Sequence, residues 1–223
     1  MFKPNVLVIE AGLGNLGSVC AAFERLGVRN IRYTTPPSLQ DESTFTHLLL
    51  PGVGSFRAGM SALVQLGWDR WIYDNWLPSR RPMLGICLGM QLLASSGTEG
   101  GHKRVPVQGL NLIGGEVSRL TVKRNLVLPH VGWNSLTWRD PNLQLADGFP
   151  KDGDVYFVHS YAFSPSMKEH SLALSVYGGE FTAVVGDPRL NIWGMQFHPE
   201  KSQKLGRCLL QNFLALKPCS NDD

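Results

Sequence analysis

The sequence lacks a long apolar run, a large excess of charge of either sign and any low-complexity tract. The apolar run at residues 6–9 is too short for a signal peptide or a membrane-spanning helix, so we expect a soluble, cytoplasmic protein. Its 21 lysines and arginines against 18 aspartates and glutamates leave a net charge of only +3, and the basic residues are scattered. The charge pattern therefore indicates no nucleic-acid-binding surface.

Cysteines are few and lie far apart: no Cys-x-x-Cys pair occurs among Cys20, Cys87, Cys208 and Cys219. This spacing favours free thiols in a reducing compartment over disulfides or a zinc site, and we expect no metal and no cofactor. A length of 223 residues with 43% hydrophobic residues is typical of one globular domain with a substantial core. We predict a single domain over residues 1–216 and a short C-terminal tail at 217–223.

The periodicity of apolar residues changes between the two halves of the chain. The first half alternates predicted strands with amphipathic helices, which indicates a parallel sheet covered by helices. The second half has short strands joined by Gly, Pro, Asn and Asp turns, and it closes with a helix. We predict an α/β fold with a mostly parallel central sheet, flanking helices and an antiparallel extension. The predicted strands are 5–9, 31–34, 47–50, 83–86, 116–120, 155–158, 172–177, 181–185 and 192–197; the predicted helices are 16–26, 56–64, 88–94 and 205–213.

The strongest local signal is the segment 82–91, in which an apolar strand leads into Cys87 and a helix follows at once. Gly85 and Gly89 flank the cysteine at −2 and +2, a pattern typical of a nucleophile elbow. A helix N-terminus behind the sulfur favours the thiolate, and the N–H of Leu88 can donate to an oxyanion. The alternative is a buried structural cysteine, which the two glycines make the weaker interpretation.

A thiol nucleophile needs a base, and the base needs a group that orients it. The segment 193–200 offers both, since His198 and Glu200 are two residues apart and would point the same way on extended chain. Pro199 between them removes a backbone donor and stiffens the pair. Taken alone, the pair could equally be a surface ion pair at a strand end.

A third glycine-rich segment, 50–54, lies at the end of another predicted strand. The N–H groups of Gly52 and Val53 can complete an oxyanion hole, although a plain strand-to-helix loop would have the same composition. Loops at the carboxyl ends of parallel strands gather at one edge of a sheet, so we expect this segment to meet Cys87 and His198.

Together these segments resemble the class I glutamine amidotransferases. The motifs are Pro-Gly-Val-Gly at 51–54, Gly-Ile-Cys-Leu-Gly-Met-Gln at 85–91 and Gln-Phe-His-Pro-Glu at 196–200. Two more, His-Val-Gly-Trp-Asn at 130–134 and Tyr-Phe-Val-His-Ser-Tyr at 156–161, resemble the branch formed by the glutaminase subunits of imidazole glycerol phosphate synthases. The resemblance covers essentially the whole chain.

This resemblance implies a Cys-His-Glu triad. Cys87 would attack the carboxamide of L-glutamine and form a glutamyl thioester, His198 would act as acid and base, and Glu200 would orient His198. Gln91 and Glu99 match positions that hold the amino-acid head of glutamine, and the resemblance implies that the backbone of Ser160 and Tyr161 lies on the same side of the substrate. We expect Glu99 to lie in a flexible loop, residues 95–101, that closes over the substrate; a solvated loop acid is the alternative.

The resemblance also implies a partner, a (β/α)8-barrel cyclase subunit that receives the ammonia in a heterodimer and switches the activity on. Four positions match the interface with that partner: Asn15, Trp133, Tyr156 and Lys201. Ordinary packing is the alternative for each of them, as it is for His130 and His159. One departure stands out, since Glu-Ala-Gly at 10–12 replaces the family's usual Asp-Tyr-Gly in the loop that faces the partner.

That departure leaves other functions open. A paralogous amidotransferase subunit could supply ammonia to another pathway, such as surface-sugar amidination. Independently of the loop, a non-catalytic regulatory module could keep only the fold, although the intact Cys87, His198 and Glu200 argue against it. A dinucleotide-binding site is a further alternative, because residues 12–17 match G-x-G-x-x-G. Such a site needs an acid near the end of the second strand, where the sequence has Arg-Tyr-Thr-Thr at 32–35. We therefore set the dinucleotide site aside.

Overall fold

The computed structural model describes residues 3–14, 16–102, 105–122 and 126–219. Within these ranges the strands are β1 (Asn5–Ile9), β2 (Arg29–Tyr33), β3 (His47–Gly52), β4 (Met83–Cys87), β5 (Ser96–His102), β6 (Val105–Gln108), β7 (Gly115–Arg119), β8 (His130–Ser135), β9 (Thr137–Trp138), β10 (Asp154–His159), β11 (Tyr161–Pro165), β12 (Ser171–Val176), β13 (Glu180–Asp187) and β14 (Ile192–Met195). The α-helices are α1 (Gly17–Arg25), α2 (Leu39–Glu42), α3 (Phe56–Leu66), α4 (Trp68–Trp71), α5 (Leu88–Leu92) and α6 (Gln203–Ala215). None of the helices in these ranges has both the length and the apolar character needed to cross a bilayer.

The central sheet has eight strands in the order β2-β1-β3-β4-β14-β13-β12-β9. Its first five strands run parallel, and β13, β12 and β9 continue it as antiparallel neighbours. The predicted α/β class, with its parallel sheet and antiparallel extension, is therefore confirmed. Because β3, β4 and β14 are neighbours, the three motifs that follow them meet at one edge of the sheet.

Two smaller sheets stand beside the central one. Strands β8 and β10 form an antiparallel ribbon, and β11-β7-β5-β6 form a four-stranded sheet. The predicted strands at 116–120 and 155–158 thus exist, but they pair outside the central sheet. The apolar pattern of the sequence did not predict β5, β6, β8, β9 and β11, because apolar and polar residues alternate only weakly there and several of these strands have mostly exposed or half-buried side chains.

The core lies on both faces of the central sheet. Successive residues of β1 alternate between the two sides, with Val6 and Val8 packing toward α1 and α6, and Leu7 and Ile9 toward α3 and α5. Strands covered on both faces read as continuous apolar runs, which is why β1 and β3 were recognisable from sequence.

Candidate active site

Cys87 occupies the turn between β4 and α5 with φ of 55° and ψ of −109°, values that a residue with a side chain rarely adopts. Both flanking glycines are needed for this turn. A Cβ on Gly85 would come within 2.5 Å of the carbonyl oxygen of Gly89, and a Cβ on Gly89 would overlap the carbonyl of Leu50 on β3. The predicted elbow is therefore present, and its close contacts hold the sulfur at the end of the strand.

His198 and Glu200 form a buried pair, with 2.8 Å between Nδ1 and Oε1 and only 6% and 3% of their side chains exposed. The alternative of a surface ion pair is thus excluded. The prediction that they lie on extended chain is wrong, because β14 ends at Met195 and Pro199–Lys201 forms a short 3-10 helix. It is this helical turn that brings the carboxylate back to the imidazole.

The pKa of His198 is raised to about 9. Burial acts to lower this pKa, but hydrogen bonds to Cys87 and Glu200 and electrostatic interactions with both groups outweigh it. The imidazole is therefore protonated at neutral pH and lies between a sulfur and a carboxylate. This is the charge arrangement of an activated thiol nucleophile.

The segment after β3 reaches the nucleophile as expected, since Gly52 is directly opposite Cys87 in the β3–β4 register. Leu88 is the first residue of α5, so its N–H has no partner within that helix and can donate to an oxyanion. The N–H of Val53, however, donates to the carbonyl oxygen of Leu13 at 2.9 Å. The second donor of the predicted oxyanion hole is thus engaged elsewhere in this structure.

A cavity of about 240 Å³ opens beside Cys87 and His198. All the residues predicted to bind the substrate line it except Gly52, which lies just behind Leu88: Val53, Leu88, Gln91, Glu99, Ser160 and Tyr161. Lys201, predicted for the partner interface, lines it as well. Residues separated by more than a hundred positions in sequence therefore surround one space next to the sulfur.

A larger cavity of about 830 Å³, between α3 and residues 107–110, holds no cysteine or histidine among its described lining residues.

Glu99 does not lie in the predicted loop. It belongs to β5, and its carboxylate accepts a hydrogen bond from the N–H of Phe56 at 3.0 Å, which satisfies a free donor at the start of α3. Burial raises the pKa of Glu99, and this hydrogen bond acts in the opposite direction. The alternative of a solvated loop acid is also wrong, because the side chain is half-buried and faces the cavity.

Three contacts to Cys87 and His198 were not predicted from the sequence. The side-chain amide of Gln196 is fully buried and lies 3.9 Å from the sulfur of Cys87. The carbonyl oxygen of Val158 is 3.8 Å from the same sulfur, and that of Tyr156 accepts from the N–H of His198 at 2.9 Å. Gln196 could have been predicted, because it is the first residue of the Gln-Phe-His-Pro-Glu motif at 196–200. The backbone contacts follow only from the placement of β10.

Two of the four residues predicted for a partner interface, Trp133 and Tyr156, lie on one face of the β8–β10 ribbon. Trp133 and Tyr156 are directly opposite each other, with ring centroids 5.9 Å apart, and Trp133 is 47% exposed. Lys201 is also exposed. Asn15 lies outside the described residues.

The chain matches known proteins along nearly its whole length. Residues 7–216 match the family model described as glutamine amidotransferase class-I. The chain is 57% identical over 214 residues to the imidazole glycerol phosphate synthase subunit HisH 1 of Prochlorococcus marinus, covering 96% of this chain and 98% of that protein. It is 44% identical over 213 residues to the subunit HisH of Halalkalibacterium halodurans, with 94% of each chain covered.

Solved structures share the fold at low identity. PurLQS from Thermotoga maritima superposes with a TM-score of 0.70 at 16% identity, covering 96% of this chain and 98% of that one. A glutamine amidotransferase from the same organism gives a TM-score of 0.67 at 16% identity, covering 97% and 100%. With the match to the family model over residues 7–216, the chain belongs to the class I glutamine amidotransferases.

Proposed function

We propose that this chain is the glutaminase subunit of imidazole glycerol phosphate synthase, which hydrolyses L-glutamine and passes the ammonia to a cyclase subunit for histidine biosynthesis. The site chemistry rests on one observation, a cysteine on a strained elbow beside a buried histidine–glutamate pair. The pathway rests on relatives at 57% and 44% identity that bear this subunit's name and match from end to end. We also propose the single domain over residues 1–216, which the family match at 7–216 supports.

The first half of the reaction forms a thioester. The Cys87 thiolate attacks the carboxamide carbon of glutamine, and the carbonyl oxygen takes up the negative charge near the N–H of Leu88. When this charge returns to the carbonyl, the C–N bond breaks, and the protonated His198 gives its proton to the departing nitrogen. Ammonia leaves, and the γ-glutamyl group stays on the sulfur.

The second half releases glutamate. Neutral His198 takes a proton from water, the hydroxide attacks the thioester carbon, and the C–S bond breaks to restore the thiolate. The new carboxyl group loses its proton, so glutamate leaves as an anion. Glu200 keeps His198 in the tautomer that has its proton-accepting nitrogen toward the reacting atoms, and its charge stabilises the imidazolium in both halves.

The cavity wall supports recognition of a free amino acid. The carboxylate of Glu99 suits the substrate's ammonium group, and the backbone at Ser160 and Tyr161 faces the same space. The side-chain amide of Gln91 donates hydrogen bonds to the carbonyl oxygen of Tyr161 and to the side-chain oxygen of Gln196. These bonds orient the Gln91 side chain before the substrate binds. We propose these groups as the site of the amino-acid head.

A separate partner is part of the proposal. On the ribbon face, Trp133 is exposed and Tyr156 is half-buried, and β10 also supplies the backbone contacts to Cys87 and His198. A (β/α)8-barrel cyclase bound to this face, in a cytoplasmic heterodimer, would be connected to the active site through strand β10. Because Val53 donates to Leu13, we expect low activity until a partner releases that N–H toward the oxyanion.

The test is glutamate release from glutamine by the purified chain, alone and with a histidine-pathway cyclase subunit and its nucleotide ligand. Activity that requires the liganded partner and disappears in Cys87→Ala is the expected result. Activity that ignores this partner, but is lost in the variant, would reject the histidine pathway and favour a paralogous amidotransferase. No activity in any mixture, with the partner demonstrably bound, would reject the enzyme and leave a regulatory module.

A further inference from the structure

Two buried histidines outside the triad form a pair directly behind the cavity wall. His130 on β8 and His159 on β10 are opposite each other in the ribbon, and both are at least 95% buried. The Nδ1 of His130 lies 3.0 Å from the Nε2 of His159, and the Nδ1 of His159 lies 2.8 Å from the carbonyl oxygen of Tyr161. His159 itself lines the cavity.

The chemistry of these contacts fixes where the protons are. A carbonyl oxygen can only accept, so the Nδ1 of His159 carries a hydrogen, and in a neutral ring its Nε2 must then accept. The Nδ1 of His130 therefore donates to it. Burial lowers the pKa of each histidine to about 4, and a positive charge on His130 or His198 would lower the pKa of His159 further, so both rings are neutral at neutral pH.

The ring of His130 is held in place on both sides. It stacks on Tyr177 with 4.0 Å between ring centroids, and on Phe157 with 4.9 Å. The amide nitrogen of Asn134, on the same strand, lies 3.5 Å from its remaining nitrogen. Stacking alone would be satisfied by a phenylalanine, whereas burying a second polar ring is costly unless its hydrogen bonds are used.

The histidine pair is connected by hydrogen bonds to the groups that we propose for glutamine binding. The carbonyl of Tyr161 also accepts from the Nε2 of Gln91 at 3.1 Å, and the same nitrogen is 3.0 Å from the side-chain oxygen of Gln196. The amide of Gln196 is the group beside the sulfur of Cys87. A displacement of the Tyr161 carbonyl would therefore move Gln91 within the cavity, while Cys87 stays on its elbow.

We propose that His130 and His159 are positioning residues for glutamine: through a directional hydrogen-bond chain they hold the Tyr161 carbonyl, and with it Gln91, in the arrangement that receives the substrate. This inference rests on the proposed glutaminase function. It assigns a role to two residues for which packing was the simpler interpretation. The same hydrogen-bond chain connects the residues that line the cavity to β8, the strand that presents Trp133 on its opposite face.

The test compares His159→Phe, which has no ring N–H, with His159→Asn, whose amide can still donate to the Tyr161 carbonyl. In the complex with the cyclase and its nucleotide ligand, we expect His159→Phe to raise KM for glutamine about tenfold with little change in kcat, as for the loss of one buried hydrogen bond. His159→Asn should stay within about threefold of the wild-type KM. Alkylation of Cys87 by iodoacetamide should proceed at the same rate in all three proteins.

His47→Asn is the matched control, because His47 is a buried histidine with a pKa lowered to about 4 by burial and does not line the cavity. It should lower the melting temperature without changing KM. Equal KM values in His159→Phe and His159→Asn, at the wild-type level or raised, would mean that His159 only fills space and would overturn the proposal.

A measurement independent of catalysis separates this inference from the proposed function. Nitrogen-15 NMR of histidine-labelled protein should find a proton on the Nδ1 of both rings and none on the Nε2 of His159. An unprotonated Nδ1 on His159 would contradict the proposed hydrogen bonds of the histidine pair. If the wild-type complex instead released no glutamate, the proposed function would fail, and the NMR pattern would still decide whether the pair exists.

Discussion

At the scale of single residues, the charge on His198 depends on its two neighbours. Cys87→Ala removes a hydrogen bond and an electrostatic interaction that raise the pKa of His198, so NMR titration should find a lower pKa for His198 in this variant than in the wild type. Glutamate release should be lost as well. Cys208→Ala, in α6 and away from the cavity, is the control and should change neither quantity.

The same pKa predicts how stability depends on pH. The folded-state pKa of about 9 lies above the ordinary value of 6.5. Protonated His198 therefore stabilises the fold fully below pH 6.5, and this stabilisation is lost as the pH rises toward 9. Wild-type protein should therefore lose stability over this interval more steeply than Cys87→Ala in urea denaturation. Parallel curves for the two proteins would contradict this account.

At the scale of elements, the elbow depends on how closely α5 approaches β3. Gly89→Ala places a Cβ against the carbonyl of Leu50, and because backbone cannot move aside as a side chain can, we expect a loss of about 2 kcal/mol or more in the free energy of unfolding. Gly179→Ala is the control, since nothing lies within 4 Å of its added Cβ. Urea denaturation of both variants measures the difference, and equal stabilities would contradict the close approach.

Glu99 accepts a hydrogen bond at the start of α3, and we propose that it also binds substrate in the cavity; the two roles should respond differently to substitution. Glu99→Gln keeps an oxygen for the N–H of Phe56 but loses the charge, so thermal stability should change little while KM for glutamine rises about tenfold. Glu99→Ala should lower stability as well, by about 1 kcal/mol. An unchanged KM in Glu99→Gln would remove Glu99 from the substrate site.

At the scale of the whole molecule, the ribbon face that we propose as the partner surface is connected to the active site through β10. Trp133 is half exposed and packs on Tyr156, so Trp133→Ala should cost little stability but weaken binding to the cyclase subunit by about 2 kcal/mol, as for an aromatic anchor at an interface. Titration calorimetry measures this affinity. Val105→Ala, 67% exposed on β6, should leave it unchanged.

Sequence alone determined the fold class and pointed to the candidate residues of the chemistry. Apolar runs marked strands buried on both faces, and two glycines around Cys87 marked the elbow, because both patterns come from local geometry. The glycine-flanked cysteine, the His-Pro-Glu motif and the loop after β3 were each found without knowledge of the others' positions. Strand order then brings them together, as expected for neighbouring parallel strands.

Only the tertiary structure decided the contacts that depend on non-local pairing. Glu99 was misjudged as a loop residue because β5 has a glycine-rich sequence and is defined by its neighbours β6 and β7. The hydrogen bond from Val53 to Leu13 and the pair of His130 and His159 join segments far apart in sequence through backbone groups and ring nitrogens. The residue types fixed what chemistry was possible, and long-range packing decided which donors were free to perform it.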